Sequence, residues 1–221
     1  MCIRDSQATH QLARGAFFFA MRSCEYLSVT GERRTKRLHL GNLKFIRNNH
    51  TLPLDDPLLA LADTIAITFE FQKNDQRDET VVMHCSGDPL LCPIRAWAAV
   101  VMRILSYTGT SATTYVNAYA TSGGNLAYLT GDQVRLRLRQ AADRIGAERL
   151  GYTPDEIGTH SIRSGAAMAM YLAGVPAFTI MLIGRWSSDA FLRYIRHQVQ
   201  EFSAGVSSKM LLTDEFFAVS G

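Results

Sequence analysis

The chain has 221 residues, 47% of them hydrophobic, with a mean hydropathy of −0.01. These values are typical of one large globular domain or two small ones, and with only six prolines they argue against long disordered stretches. The net charge is +3, but 19 of the 23 basic residues are arginines. Arginine favours phosphate-bearing partners; a compositional bias from a GC-rich genome is the alternative explanation.

The N-terminal part predicts one helix followed by a basic loop. The first six residues, MCIRDS, match no element, and we interpret them as a non-native or truncated leader. Apolar spacing predicts a helix over about 7–28, whose apolar run GAFFFAM is too short for a signal peptide. The loop GERRTKR then offers Arg33, Arg34, Lys36 and Arg37 for phosphate contacts, unless it is simply solvated.

Three segments predict a small antiparallel sheet. LKFI (43–46) is a short strand, and DTIAITFEF (63–71) and ETVVMHC (79–85) alternate as strands do. The polar turn between the last two contains Lys73 and predicts a β-hairpin. The expected fold is therefore mainly α with a three-stranded antiparallel β-sheet.

The next region predicts two helices separated by an irregular segment. CPIRAWAAVVMRILSY (92–107) opens with proline and has helical spacing, whereas 107–127 is rich in Gly, Ser and Thr. Thr130 and Gln133 form a capping-box pattern that starts a helix to about residue 149. Arg135 and Arg139 lie one turn apart on it, either as DNA contacts or as a solvated face.

The stretch from 164 to 184 contains no formal charge, but it does not predict a membrane span. Gly174 and Pro176 interrupt it near the middle, which indicates two short buried helices joined by a tight turn. A further helix is expected over 187–202, with Phe191 and Tyr194 on one face, where Tyr194 could also be a core residue.

The cysteines do not predict a metal site. Cys2, Cys24, Cys85 and Cys92 form no C-x-x-C pair, and His84, Cys85 and Cys92 lack a fourth ligand. Reduced, scattered thiols are typical of a cytoplasmic or nuclear protein.

The residues with the strongest chemical signal are spread along the chain. His160 and Arg163 are three apart at a helix start, so they share a face. The full order, with Glu25 three residues after the first arginine, is Arg22, Lys73, His160, Arg163, Trp186, Tyr194. From about residue 8 to 205 this pattern resembles the tyrosine recombinases, the integrase family of site-specific DNA recombinases.

The resemblance implies DNA cleavage and rejoining without metal or nucleotide. Arg22 and Arg163 would hold the non-bridging phosphate oxygens, and Tyr194 would form a 3′-phosphotyrosyl bond. Lys73 would protonate the leaving 5′ oxygen, His160 would do acid–base work, and Trp186 would donate to the phosphate. Glu25 would orient the histidine or an arginine.

Each of these roles has a structural alternative. Arg22 could simply pair with Glu25, Lys73 could be a solvated hairpin residue, and Trp186 could merely pack. The family usually has His or Trp nine positions before the tyrosine; here Arg185 is nine before and Trp186 eight. We take Trp186 as the family group, with Arg185 as the alternative.

The resemblance also implies domain organisation, partners and location. Residues 7–204 would form the catalytic domain and 205–221 a tail that packs on a neighbouring protomer, with the N-terminal core-binding domain absent from this chain. The partner would be double-stranded DNA, bound by a homotetramer on paired sites, in the cytoplasm of a prokaryote or phage host or in a nucleus. A type IB topoisomerase and a non-catalytic DNA-binding remnant of a mobile element are the alternative functions.

Overall fold

The computed structural model describes residues 3–31, 35–71 and 77–187, which form an α+β fold. Their helices are α1 (Ile3–Phe18), α2 (Ser23–Tyr26), α3 (Pro93–Leu105), α4 (Gly131–Ile145), α5 (Ala147–Leu150), α6 (Thr159–Leu172) and α7 (Ala177–Gly184). Their strands are β1 (Leu43–Arg47), β2 (His50–Leu52), β3 (Thr64–Phe71), β4 (Arg77–His84), β5 (Ala118–Ala120) and β6 (Leu126–Tyr128). The helix predicted over 187–202, apart from its first residue, and the predicted tail over 205–221 lie outside the described residues.

The main sheet is antiparallel with the strand order β2-β1-β3-β4. The predicted strands correspond to β1, β3 and β4, and the β3–β4 hairpin is confirmed. The prediction of three strands was wrong, because β2 pairs with β1 as a fourth. Asn48 and Asn49 connect them with φ values of 49° and 63°, which is the conformation that two-residue hairpin turns require.

The buried face of the sheet and two helices supply the core of the first unit. Ala8, Leu12 and Ala16 recur at helical spacing along α1 and are fully buried. Trp97 of α3 is also fully buried and packs edge-on against Phe19, with ring centroids 6.4 Å apart. The predicted helix over 92–107 is confirmed as α3, with Pro93 at its first position.

The prediction of one continuous helix over about 7–28 was wrong. The observed α1 begins earlier, within the segment interpreted as a leader, and it ends at Phe18 before α2 starts at Ser23. Ala20 has a φ of +43°, and the amide of Met21 donates to the Ala16 carbonyl oxygen at 3.0 Å. A left-handed residue of this kind ends a helix, so the chain turns between α1 and α2.

The segment predicted to be irregular contains a second, two-stranded sheet of β5 and β6. The capping box predicted at the start of α4 is confirmed: the Gln133 amide donates to Thr130 Oγ1 at 3.2 Å, and the Thr130 amide donates to Gln133 Oε1 at 2.8 Å. The predicted helix to residue 149 is interrupted at Gly146, after which α5 forms a single turn.

The chain divides into two compact units, Met1–Ala166 and Ala167–Gly221. In the described part of the second unit, Ala167 and Ile180 are fully buried and form a small apolar cluster. The predicted helix–turn–helix is confirmed, since α6 and α7 flank Gly174, whose φ is +75°. The predicted burial of both helices was wrong, because Leu172, Phe178 and Leu182 are each more than half exposed. Among the described residues no helix combines the length and apolarity needed to cross a bilayer.

Candidate functional site

The turn between α1 and α2 places Arg22 at the N-terminus of α2. Its backbone amide donates to Glu25 Oε2 at 2.8 Å, and its guanidinium Nη1 donates to Glu25 Oε1 at 3.1 Å. The Glu25 side chain is fully buried, whereas that of Arg22 is 19% exposed. A single carboxylate therefore fixes both the backbone and the guanidinium of Arg22, and it holds that guanidinium at the edge of the solvent-accessible surface.

Helix α6 brings Arg163 to the same turn. Arg163 is 2% exposed, and its Nη1 donates to the carbonyl oxygen of Ala20, a residue 143 positions away in the sequence. Because Ala20 precedes Arg22 by two residues, the carbonyl that receives Arg163 belongs to the turn that carries Arg22. The left-handed conformation of Ala20 ends α1 at this point and leaves this carbonyl available to a side chain.

His160 lies one helical turn before Arg163 and is more exposed than the arginine. Its pKa is lowered from the ordinary value of 6.5, first because the protein removes part of the solvent around the ring and second because of the charge on Arg163. His160 is nevertheless exposed, so solvent can still reach this residue. A neutral imidazole is therefore favoured at neutral pH.

The formal charges of the three residues on this turn and helix sum to a positive value. They comprise two guanidinium groups, from Arg22 and Arg163, and one carboxylate, from Glu25. Buried or half-buried guanidinium groups in excess of carboxylates favour an anionic ligand with several acceptor oxygens. In the part of the chain that is described, no cluster of three or more His, Cys, Asp or Glu side chains is arranged to hold a metal ion.

Four of the predicted site residues lie outside the described residues. Lys73 belongs to the turn between β3 and β4, whose flanking residues Phe71 and Arg77 are paired. Tyr194 follows the last described residue, Ser187, and Arg33 and Arg34 belong to the basic loop. Their predicted roles therefore stay predictions.

Trp186 and Arg185 follow α7 in the second unit. Trp186 packs with the cluster of Ala167 and Ile180, and its ring lies so close to Gly184 that an added Cβ there would be 1.6 Å from it. Arg185 ends α7 with a φ of +55° and is 2% exposed, with Nη1 donating to the Ile183 carbonyl at 2.8 Å. Both residues thus have structural contacts of their own within this unit.

The predicted DNA-contacting residues differ in how firmly they are held. Lys36 is exposed and pairs with Glu70 at 3.1 Å, and Arg135 is exposed and pairs with Asp132 at 2.8 Å. Arg139 instead makes three hydrogen bonds to the segment after α5, to both carbonyl and carboxylate oxygens of Asp155 and to the carbonyl of Ile157.

Arg37 has contacts that the sequence did not indicate. Its guanidinium lies 3.8 Å from the ring centroid of Tyr115 and 5.4 Å from that of Tyr128, and it donates to Ser28 Oγ. Tyr115 comes from the region predicted to be irregular, where it forms an isolated bridge with His39, and Tyr128 is the last residue of β6.

A polar cluster on the main sheet was also missed. The Glu70 carboxylate accepts hydrogen bonds from Asn42 at 2.9 Å, His39 at 2.8 Å and Lys36 at 3.1 Å, and these hold its pKa at about 2. Glu70 occupies a half-buried position on β3, and its only signal in the sequence was a charged residue within an otherwise uncharged strand.

Comparison with known proteins gives no family for this chain. No protein-family model matches it, and no curated protein matches it significantly.

Proposed function

We propose that this chain is the catalytic domain of a tyrosine recombinase, which breaks and rejoins DNA through a 3′-phosphotyrosyl intermediate without a metal ion. One observation carries the proposal: Arg163, next to His160, donates to the turn that carries Arg22 and Glu25. The family resemblance assigns Arg22 and Arg163 to phosphate binding, His160 to acid–base work and Glu25 to orienting one of them. Arg22 and Arg163 come from opposite ends of the described chain.

Two guanidinium groups that are each held in place would suit a phosphodiester. Its two non-bridging oxygens need donors in a fixed arrangement, and two guanidinium groups from different helices can supply them. Arg22 is held by Glu25 and Arg163 by Ala20, so neither has to be ordered when the substrate binds. Positive charge held in place before the reaction stabilises the transition state, in which negative charge on the phosphoryl oxygens increases.

The chemical step assigned to Tyr194 is a transesterification. The phenol oxygen forms a bond to phosphorus, the bond from phosphorus to the 5′ oxygen breaks, and the nucleophile's proton passes to a base. His160 is the candidate base, because its lowered pKa keeps it neutral at neutral pH. Lys73 would donate the proton that the leaving 5′ oxygen takes up.

Rejoining reverses these steps when a 5′ hydroxyl attacks the phosphotyrosine. Strand exchange additionally needs two DNA sites held together, which in this proposal is the task of a homotetramer linked through residues 205–221. The exposed cations Lys36 and Arg135 would contribute backbone contacts to the duplex.

A suicide-substrate experiment tests the proposal. The chain is incubated at low salt with duplex DNA nicked close to the cleavage point, so that the short leaving strand diffuses away. We expect a covalent protein–DNA band on a denaturing gel that Tyr194→Phe abolishes and Tyr152→Phe, a matched change at an exposed tyrosine, leaves intact. Arg163→Lys should slow adduct formation by roughly 10²–10³-fold.

Three other outcomes would contradict parts of the proposal. Salt-sensitive DNA binding without any adduct would indicate a non-catalytic DNA-binding protein. An adduct that survives Tyr194→Phe would exclude this tyrosine as the nucleophile. Relaxation of supercoiled DNA without recombination of paired sites would indicate a type IB topoisomerase.

A further inference from the structure

The connection between β4 and α3 brings two cysteines into contact. Cys85 directly follows β4 and Cys92 directly precedes α3, and their Sγ atoms are 3.7 Å apart. Both thiols are free. Only six residues separate them in the sequence, so the contact depends on how this short connection folds.

Hydrogen bonds inside the connection hold its two ends together. The Ser86 hydroxyl donates to the Leu91 carbonyl oxygen at 2.7 Å, joining the residues next to the two cysteines. The Asp88 carboxylate accepts from the amides of Leu90 and Leu91, each at 2.7 Å. The Cys85 amide donates to the Asp63 carbonyl at 2.9 Å, which anchors the first thiol to the sheet. The sulfur contact is therefore a consequence of an ordered turn.

The two thiols have different environments. Cys85 is exposed, whereas Cys92 has no exposed surface. Burial alone would raise the pKa of the Cys92 thiol, but hydrogen bonds from the backbone amides of Arg95, Ser86 and Ile94 lower it below its usual value. The exposed thiol can meet a solute, and the lowered pKa of the buried Cys92 favours its thiolate form.

We propose that Cys85 and Cys92 form a peroxide-sensitive thiol pair that closes to an intramolecular disulfide. This inference does not depend on the proposed function, because it rests on a turn that contains none of the residues assigned to DNA cleavage. The reactant is a small hydroperoxide that reaches the exposed sulfur, and the reverse reaction needs a dithiol reductant.

The reaction balances in two steps. With hydrogen peroxide, the Cys85 thiolate attacks one peroxide oxygen, the O–O bond breaks, and the products are a sulfenic acid on Cys85 and hydroxide. The Cys92 thiolate then attacks Cys85 Sγ, the S–O bond breaks, a second hydroxide leaves, and the disulfide forms. Both electrons that reduce the peroxide come from the two sulfurs, and the two thiol protons end up in water.

The test treats the whole chain briefly with dilute hydrogen peroxide, digests it with trypsin and measures the peptides by mass spectrometry. Trypsin cleaves after Arg77 and Arg95, so one peptide, 78–95, contains both cysteines. We expect this peptide to lose the mass of two hydrogen atoms and to resist alkylation. Dithiothreitol should restore its original mass and its reaction with the alkylating reagent. The peptide containing Cys24 should remain alkylated, which provides a control within the same chain.

Two variants separate the roles of the sulfurs. In Cys92→Ser, the Cys85 sulfenic acid should persist and react with dimedone, whereas in Cys85→Ser, dimedone should not label the enclosed Cys92. Oxidation of Cys85 straight to sulfinic acid in the unaltered chain would overturn the proposal. A disulfide between two chains, or modification of Cys24 at the same rate, would overturn it as well.

Discussion

At the scale of single residues, the Glu25 carboxylate positions Arg22 at the candidate site. It is fully buried and accepts hydrogen bonds from both the amide and the guanidinium of Arg22. The substitution Glu25→Gln keeps the shape but removes the charge and replaces an accepting oxygen with a donor. We expect the free energy of unfolding to fall by about 2–3 kcal/mol, as measured by urea denaturation.

The matched control is Glu148→Gln, at an exposed position on α5. It should change stability by no more than about 0.5 kcal/mol, because a surface substitution loses little. If both variants lost the same stability, the pairing with Arg22 would contribute nothing specific.

His160 makes a pH-dependent prediction. Since its pKa is lowered in the folded chain, the unfolded chain binds more protons between the folded pKa and 6.5. The neutral form of His160 therefore makes its full contribution to folding stability above pH 6.5. This contribution is lost as the pH falls through the pKa of the folded state. An NMR titration should give a His160 midpoint below 6.5, and high salt should raise it by screening Arg163. A midpoint at or above 6.5 would contradict this account.

At the scale of elements, the contact between α1 and α3 depends on a glycine. A Cβ added at Gly15 would lie 2.7 Å from the indole of Trp97, which is fully buried. The better helix propensity of alanine offsets up to about 1 kcal/mol of the clash. We expect Gly15→Ala to lower the free energy of unfolding by about 1–3 kcal/mol in urea denaturation.

Gly165 on α6 offers the same substitution without the clash. Its added Cβ would meet Phe17 at 3.8 Å, an ordinary contact distance. Gly165→Ala should therefore leave stability unchanged or raise it by up to about 1 kcal/mol. Destabilisation of both variants by the same amount would show that the Trp97 contact is not the cause.

The elements also show what the sequence could predict. Periodicity located α3 and β3, and a capping box located the start of α4, because those signals are local. The hairpin turn at Asn48 and Asn49 was a local signal that was overlooked. The break at Ala20 had no such signal, since AFFFAM is compatible with a continuing helix and the turn is set by long-range packing.

The features of the candidate site likewise divide into those that local sequence signals predicted and those that they did not. The three-residue spacing of His160 and Arg163 predicted a shared helix face from helical geometry alone. Their proximity to the Arg22 turn joins segments 143 residues apart, which periodicity does not encode. That association was expected only from the family resemblance, as was the grouping with Lys73 and Tyr194. The Cys85–Cys92 contact was missed because the spacing of six residues matches no metal or redox motif.

At the scale of the whole molecule, arginines with similar sequence context differ in their availability to the proposed DNA partner. Arg135 is half exposed and pairs with an exposed aspartate one turn away, a pair that contributes little and can exchange for a phosphate. Arg139 is committed to Asp155 and Ile157, where it ties α4 to the segment before α6. Both arginines count equally in the net charge of +3, so the net charge does not reveal this difference.

This difference predicts opposite phenotypes for the same substitution. Each cation that contacts a phosphate steepens the dependence of DNA affinity on salt, by about 0.9 in the slope of log K against log salt concentration. We expect Arg135→Gln to reduce the steepness of this dependence by roughly 1 without changing stability, and Arg135→Lys to preserve the steepness.

Arg139→Gln should instead leave the slope intact and lower the thermal unfolding midpoint, because it removes three intramolecular hydrogen bonds. Fluorescence anisotropy with a labelled duplex across a salt series measures the slope. If Arg139→Gln reduced the slope as much as Arg135→Gln, its contacts to Asp155 and Ile157 would have to break on DNA binding.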